Sequence, residues 1–496
     1  MAVLNYDELT PPERALWDAF SEGRWVDLRT RAPEEDDPAR GDQWGPERTV
    51  RAEVVAALLL GGNTERSSSV PALCLAGARI TGRLDLAGAE IGHLLWLREC
   101  RLEQEVDLRS VSARTVRITG SRVPGVDAEL ARIEGHLDLN GCVMESSRLS
   151  LMNARVTGEL DLNGARISAS GPWAVWAGGL IMGGGVFCQK GFTTRGGVRL
   201  LGAQLPGGLF MRGARLENPG GTALAADNVT ATVVNLSEGF SAAGTVRLRG
   251  ARISDLLTLD GATLGGRDTA LFGVGMQVGT FEFGLAAEPV GAVDLQGATA
   301  AVLHDREQSW PKVVLLDGFV YGSLRSDRTP LHEGVAHRVA WIRRNPGYAP
   351  QPYEQLAACY RQAGHDDIAR RVLLEKQRHH RRTLNPLGRL WGYLLDAAVG
   401  YGYRPWLSAV WMTTLCLLCG LAFSTRSPVQ TKAGEGAPFN PFIYTVDLLF
   451  PIGDFGQRSA WHWTGLTQWL AYLLIAVGWL LTTTVVAGIS RTLNRN

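Results

Sequence analysis

The sequence lacks an excess of charge of either sign. It contains 50 Lys and Arg residues against 49 Asp and Glu residues, which gives a formal net charge of +1 at pH 7. This balance gives no indication of nucleic-acid binding, so we expect no nucleic-acid partner. The opening residues carry acids early and contain no long apolar run, from which we expect no secretory signal peptide.

Cysteine is scarce and scattered. The seven cysteines are odd in number and show no framework spacing, which argues against structural disulfides. Cys416 and Cys419 have the CxxC spacing of a thiol redox pair, but they lie inside an apolar run. We therefore interpret them as two small apolar residues of a membrane helix, where lipid would also disfavour the reactive thiolate.

Short catalytic and metal-binding motifs are also missing. There is no P-loop, no HExxH, and no His/Cys cluster with metal-ligand spacing. The glycine-rich stretches 183–185 and 273–279 match a nucleotide-binding pattern poorly, and we interpret those of 273–279 as corner glycines of the repeats. We expect no cofactor and no metal, and we can name no catalytic residue. A non-enzymatic function is favoured, although a β-helix face can hold a catalytic site without a short motif.

Glycine, with 59 residues, is abundant and regularly placed. A Leu/Met-x-Gly-Ala repeat recurs, and adjacent copies are 11 residues apart, as from Leu75 to Leu86 and from Leu248 to Leu259. Apolar residues alternate in the intervening stretches, as in Leu84 and Leu86, which is the period of a strand with one buried face. Two repeats would make one coil of roughly 22 residues. The repeats begin at Leu75, Leu86, Leu162, Leu200, Met211, Leu248, Leu259 and Leu295.

This pattern predicts a right-handed parallel β-helix over residues 66–325. Leu and Ile should point inward, Gly should occupy the corners, and Arg, Asp and Glu should face water. The repeats resemble those of pentapeptide-like β-helix proteins, although the step from one copy to the next is more than twice that of a pentapeptide. Residues 1–65 should form an N-terminal cap that contains a helix over 48–62 and ends at a Gly pair.

A helical connector is predicted over residues 326–385. The stretch that begins YEQLA resembles one tetratricopeptide unit, which predicts a helical hairpin. Since the unit occurs once, we expect the hairpin to pack on the last coil; docking of a protein partner is the alternative. The matching positions are Tyr353, Leu356, Ala357, Tyr360, Gly364, Ala369 and Leu373.

Basic residues are concentrated just before the apolar part of the chain. An amphipathic stripe with aromatics follows them and suits a membrane interface. We therefore expect this basic patch to bind anionic lipid headgroups. The patch comprises Arg370, Arg371, Lys376, Arg378, Arg381, Arg382 and Arg389.

A membrane domain is predicted over residues 386–496, with transmembrane helices at about 405–424 and 466–490. Basic residues flank the outer ends of the two spans and are few in the segment that connects them. By the positive-inside rule, both termini and the β-helix should be cytoplasmic, at the inner (plasma) membrane.

The connecting loop 438–456 is aromatic and apolar and contains Asp447 and Asp454. It could re-enter the membrane, and two helices around a re-entrant loop form the topology of simple cation-channel subunits. IGDFG is distantly similar to the filter of potassium channels. An interfacial loop with a structural carboxylate is the favoured interpretation; the channel hypothesis would require a homo-oligomer formed through the membrane domain.

The whole chain resembles actinobacterial proteins labelled membrane-associated oxidoreductases. The LxGA repeats, the YEQLA hairpin and the closing WLLTTTVVAGISR span carry this resemblance. The resemblance implies a redox activity at a membrane, and no residue in the sequence supports the redox part. From the residues themselves we favour a membrane-anchored scaffold that presents a β-helix face or the helical hairpin to a protein partner. The oxidoreductase and the oligomeric channel are the alternatives.

Overall fold

The chain consists of a solenoid followed by a helical unit. The computed structural model describes residues 5–63, 69–326, 335–402, 406–432, 437–450 and 453–493. Two compact units divide it, Met1–Gln355 and Leu356–Asn496. The predicted fold class is confirmed: the first unit is a parallel β-solenoid of about 11 turns with helices at its ends, and the second carries two candidate membrane-spanning helices.

The helices flank the solenoid in sequence. Among the described residues, one precedes the first strand of the solenoid, one lies between its first strand and the continuous run of coils, and the others follow it. They are α1 (Pro11–Phe20), α2 (Ala52–Leu59), α3 (Val335–Ile342), α4 (Gln351–Gln362), α5 (Asp366–Thr383), α6 (Pro386–Val399), α7 (Trp406–Ser424), α8 (Pro441–Leu449), α9 (Gln457–Ala460) and α10 (Leu466–Leu493).

The strands of the solenoid pair in parallel and form long stacked sheets. Face A comprises Trp25–Asp27, Ala72–Ala76, Glu90–Ile91, Leu94–Arg98, Ser112–Ala113, Val116–Thr119, Arg132–Ile133, Leu137–Asp138, Arg155–Val156, Leu160–Asp161, Ile181–Met182, Val186–Phe187, Gln204–Leu205, Leu209–Phe210, Thr230–Asn235, Arg252–Thr258, Gln277–Phe283, Thr299–Asp305 and Val320–Ser326. Face B comprises Val106–Asp107, Val126–Asp127, Val143–Met144, Leu149–Ser150, Arg166–Trp176, Thr193–Arg199, Arg215–Ala225, Ser241–Arg247, Thr263–Leu264, Thr269–Phe272, Ala292–Asp294 and Val314–Leu315. A small parallel sheet at the N-terminal end comprises Thr49–Arg51, Arg79–Thr81 and Arg101–Leu102, and Val429–Gln430 pairs antiparallel with Trp461–His462 in the second unit.

Each coil contributes one apolar side chain to the same inward position. Leu95 pairs with Val116 of the next coil, and Leu160 pairs with Val186. The step from Leu95 to Val116 is slightly shorter than the predicted coil of roughly 22 residues, and the step from Leu160 to Val186 is longer. The coil length therefore varies along the solenoid. The stacked side chains are buried and each contributes about 1.5–3 kcal/mol by leaving water. On face A this row is Leu73, Leu95, Val116, Leu137, Leu160, Val186, Leu209, Val234, Leu257, Phe281, Leu303 and Leu324.

The coils turn at two corners where the backbone adopts a left-handed conformation. Glycine was expected there because it has no Cβ to clash, and glycine does hold most of these positions. Several are instead taken by other residues. The first corner is Gly88, Ser110, Leu130, Asn153, Gly179, Gly202, Asn228, Gly250, Gly275, Gly297 and Gly318; the second is Gly77, Glu99, Gly120, Gly141, Gly164, Lys190, Gly213, Glu238 and Gly261.

Substitutions at two uncrowded glycines, one at the first corner and one outside the corners, should isolate the cost of backbone strain. Gly202 has φ +64° and Gly92 has an ordinary φ, while a Cβ at either would meet empty space. We therefore expect Gly202→Ala to destabilise the solenoid by about 1 kcal/mol, since only strain is added. Gly92→Ala, the matched control, should be neutral or slightly stabilising. Denaturant unfolding of the purified chain measures both; equal losses would contradict the strain account.

The N-terminal cap differs from the prediction at its start. The predicted helix over 48–62 begins at Ala52, because Thr49–Arg51 form a strand beside Arg79–Thr81. Its predicted end is confirmed, with Gly61 at φ +89°. The buried Glu13 of α1 holds the cap together by accepting bonds from the side chain and backbone N–H of Arg51.

Glu13 should make the stability of the cap depend on acid. Although burial raises the pKa of Glu13, the bonds from Arg51 and from the Thr10 backbone hold that pKa at about 2. A lowered pKa stabilises the folded state above the unfolded value near 4.5, and this contribution is lost as the pH falls toward 2. We expect a loss of up to about 3 kcal/mol over that range. Hydrogen exchange of α1 in Glu13→Gln should lack this pH dependence; an unchanged acid response would contradict it.

An aromatic cluster and a buried ion pair cap the C-terminal end of the solenoid. Trp310 lies 4.3 Å from Phe283 and 5.1 Å from Trp341 of α3, measured between ring centroids. Arg338 of α3 binds Asp305 with two bonds of 2.7 Å, and the Trp310 indole N–H donates to the same carboxylate at 2.6 Å. The last coil is thereby covered by a helix, as a solenoid end requires.

The predicted helical hairpin is present as α4 and α5. They are joined at Gly364, which has φ +80°, and the His365 N–H donates to the Tyr360 carbonyl at 2.9 Å. At the start of α4, Gln351 and Gln355 donate to the carbonyls of Phe319 and Tyr321. The first turn of α4, which belongs to the first unit, therefore packs on the last coil.

Candidate functional site

The aspartates of the repeats have a structural role that the sequence interpretation missed. In each case one carboxylate oxygen accepts the backbone N–H two residues further on, at 2.8–3.2 Å. Such an Asx-turn sets up the corner that follows. We had predicted only that the acids of the repeats face water; these aspartates also shape the corners of the coils. They are Asp85, Asp107, Asp127, Asp138, Asp161 and Asp294.

Asp107 and Asp127 show how differently these acids are placed. Asp107 is fully buried and accepts bonds of 2.6 Å from both Arg83 and Arg109. The Arg109 bonds lower its pKa, against the opposing effect of burial. Burial raises the pKa of Asp127, and the nearby carboxylates of Glu129 and Asp107 add to this.

Asp127 lines a groove of about 410 Å³ on face B. Ser147, Ser150, Trp173 and Trp176 also line it. The Trp176 ring is flanked by Arg148 from the preceding coil at 4.9 Å and by Arg199 from the following coil at 4.3 Å. Because these guanidinium groups lie against the Trp176 ring, the ring takes part in cation–π interactions with the neighbouring coils.

A broader shallow depression of about 890 Å³ runs along face A. We call it the polar strip and define it by two outward-facing rows across successive coils. It contains one cation, Arg252, and no acid, and its second row is built mainly from small side chains. In the described part of the chain, Gln204, Arg252 and Gln277 have no side-chain hydrogen-bond or ion-pair partner. The strip comprises Gln204, Thr230, Arg252, Gln277 and Thr299 in one row and Pro206, Thr232, Ser254, Gly279 and Ala301 in the other.

The glycine runs noted in the sequence serve packing between coils. A Cβ on Gly184 would lie 2.8 Å from the Gly158 carbonyl, and one on Gly185 would lie 2.9 Å from the Phe187 ring. A Cβ on Gly279 would lie 2.5 Å from the Asp255 carbonyl. These glycines allow close approach of neighbouring backbones. Of the run 273–279, which we interpreted as corner glycines, Gly275 lies at a corner with φ +66°, whereas Gly273 and Gly279 do not adopt a left-handed conformation.

The solenoid cysteines are free thiols inside the apolar stack. Burial raises the pKa of Cys100 and of Cys142 to about 12 and raises that of Cys188 as well. A thiolate, the reactive form, is therefore strongly disfavoured at these positions. Cys419 is buried in the apolar core between α7, α8 and α10, and Cys416 packs against it.

The basic patch divides into inward and outward residues. Arg378 and Arg381 bind Asp396 of α6 at 3.1 and 3.2 Å and so hold α5 to α6. Sequence inspection missed this acid because it lies beyond the basic run. Lys376 is half-buried, and Arg370, Arg371, Arg382 and Arg389 are exposed.

Helix α6 exposes apolar side chains beside these cations. Leu387 is 78 % exposed, and Leu390 and Trp391 are more than half exposed. Asn385 caps the helix by accepting the Gly388 N–H at 2.8 Å, and Gly400 ends it in a left-handed conformation. An amphipathic helix with an exposed apolar face next to cations is suited to a bilayer interface.

The predicted loop 438–456 contains a helix, α8, and its two acids differ. Asp447 is fully buried and accepts the backbone N–H groups of Phe455, Gln457 and Arg458 at 2.7–3.0 Å. Asp454 is exposed and accepts the Gly456 N–H at 2.8 Å. Pro451 and Ile452 of this loop lie outside the described residues. The buried carboxylate thus fixes the return of the chain after α8.

Within the described residues, no group of three or more His, Cys, Asp or Glu side chains is placed to hold a metal ion. Two helices, Trp406–Ser424 and Leu466–Thr483, are long and apolar enough to cross a membrane. By its structure, the protein is therefore a parallel β-solenoid followed by a helical unit with two candidate membrane spans. No family model, curated protein or solved structure matches the chain.

Proposed function

We propose that the protein is a membrane-anchored scaffold that presents the solenoid to a protein partner on the cytoplasmic side. The solenoid is rigid because every coil is bonded to its neighbours along the register. The α6 face, the exposed cations of the basic patch, and the two spans provide attachment to anionic lipid and to the bilayer.

The polar strip carries this proposal. The amides of Gln204 and Gln277 and the guanidinium of Arg252 lie along a flat row of small residues and are available to a ligand. An extended, acceptor-rich segment of a partner protein can lie across the coils and bind these groups. With Arg252 as the only charged side chain of the strip, an acidic segment fits better than a basic one.

Site-specific photo-crosslinking in native membranes tests the scaffold. A photoreactive phenylalanine at Ser254 in the strip should give a discrete protein adduct, whereas the same group at the exposed Thr263 on face B should not. Arg252→Glu should abolish the adduct. Arg166→Glu is the matched control, because Arg166 also follows a Gly-Ala pair and is exposed, on face B. No adduct at Ser254, or a glycan adduct in its place, would contradict a protein partner.

A channel-like oligomer is the second candidate function. It is favoured by one observation, a short helix α8 between two candidate spans. A channel should be a tetramer or larger in detergent, and Asp454→Asn should change cation flux in liposomes. The scaffold predicts a monomer or dimer without flux.

A further inference from the structure

The geometry points to α8 as a re-entrant membrane helix that reaches the middle of the bilayer and contacts lipid chains with its exposed face. This inference rests on the proposed membrane anchoring. It adds a third membrane-embedded element, which enters from the side that carries the α7–α10 connection.

The end of α8 lies deep along α10. A methyl group on Gly478 would collide with the backbone of Leu449, the last residue of α8. Gly478 follows the first residue of α10, Leu466, by 12 positions. At 1.5 Å per residue this is about 18 Å, while half the hydrocarbon thickness is about 15 Å.

The start of α8 lies near the end of α7. A methyl group on Gly420 would collide with the Phe442 ring, and Gly420 precedes the last residue of α7, Ser424, by four positions. That distance corresponds to about 6 Å along the helix. Helix α8 therefore begins close to the end of one span and finishes near the middle of the other.

The apolar core of this unit lies at the same depth. Leu415, at the middle of α7, packs against the core that contains both terminal leucines of α8. A surface loop would not bring its side chains to this level. The core comprises Cys419, Phe423, Tyr444, Leu448, Leu449, Trp463, Ala471 and Leu474.

Several polar groups of α8 and of the described residues just before and after it are satisfied internally, as lipid requires. Asp447 takes three backbone N–H groups, and Asn440 caps the first turn of α8 at 3.0 and 3.2 Å. The Thr445 hydroxyl donates to the Pro441 carbonyl at 2.7 Å, and the Gln457 amide donates to Pro438. These bonds offset the cost of placing backbone and carboxylate in a low dielectric.

The outer face of α8 is apolar and continues the character of the spans. Phe442, Ile443 and Phe450 are each 42–45 % exposed. Leu417 of α7 and Leu480 of α10 are exposed to a similar or greater extent at mid-span. The same hydrocarbon that covers the spans would cover this face.

Spin-label depth measurements on the full chain in liposomes test the inference. Cys416 and Cys419 are replaced by Ala, and single labels are placed by Ile443→Cys, Phe450→Cys and Ser459→Cys. Leu417→Cys and Leu480→Cys serve as mid-span references. We expect position 450 to match both references in its ratio of oxygen to water-soluble nickel-complex accessibility, position 443 to be shallower, and position 459 to be aqueous.

Three results would overturn the inference. Position 450 reading like position 459, with both references deep, would place α8 at the surface and leave the membrane anchor intact. If the labels at the two reference positions are exposed to water, the two spans do not enter the bilayer, and the proposed membrane anchor is contradicted as well. Shielding of position 450 from both reagents would place a second copy of the chain, and not lipid, on the face of α8.

Discussion

Replacing Arg338 with methionine is expected to destabilise the C-terminal end of the solenoid by about 3–5 kcal/mol. Asp305 would then remain as a buried carboxylate without its cation, supported by the Trp310 indole N–H. Hydrogen exchange of the α3 amides measures the local effect, and a loss of this size corresponds to at least roughly 100-fold faster exchange. A loss under about 1 kcal/mol would show that α3 is not held by this pair.

Two further variants sharpen this test. Asp305→Asn combined with Arg338→Met removes both charges and keeps an acceptor for Trp310, so we expect a smaller loss than from Arg338→Met alone. Arg371→Met is the exposed control, because its partner Asp367 lies 3.9 Å away and both side chains are about two-thirds exposed. This control should cost no more than about 0.5 kcal/mol.

Replacing Asp447 with alanine is expected to loosen the chain between α8 and α10 by at least about 3 kcal/mol. Three backbone N–H groups would lose their acceptor, and each buried orphan costs about 1 kcal/mol or more. Asp454→Ala is the matched control in the same segment, since Asp454 is exposed and accepts one N–H. It should cost no more than about 1 kcal/mol. Hydrogen exchange of residues 455–460 in detergent measures both variants, and equal effects would contradict a staple formed by Asp447.

The solenoid was predictable because the repeats carry its geometry in sequence. The spacing of Leu75 and Leu86 and the alternation around Leu84 define half a coil and its inward face. The corners were predictable only where glycine marks them. Glu99, Lys190 and Leu130 take the same left-handed conformation because the stacked coils on both sides impose it. The residue types at these positions do not indicate that conformation.

Long-range pairs could not be found from sequence. Arg338 and Asp305 stand 33 positions apart, and Arg378 meets Asp396 only after the chain reverses between α5 and α6. For α8, a signal was present and overlooked, because Asn440 followed by Pro441 is a typical helix start. The role of Asp447 depends on where the chain returns after α8, which only the fold reveals.

Sided labelling in intact cells tests the central claim of a cytoplasmic solenoid anchored in the membrane. Full-length chains with Ser459→Cys or Ser254→Cys are treated with a membrane-impermeant maleimide before and after lysis. We predict that position 459, in the α7–α10 connection, reacts in intact cells and that position 254, in the polar strip, reacts only after lysis. Both proteins should remain with the membrane at alkaline pH. Labelling of position 254 in intact cells, or release of the full chain by alkali, would contradict the account.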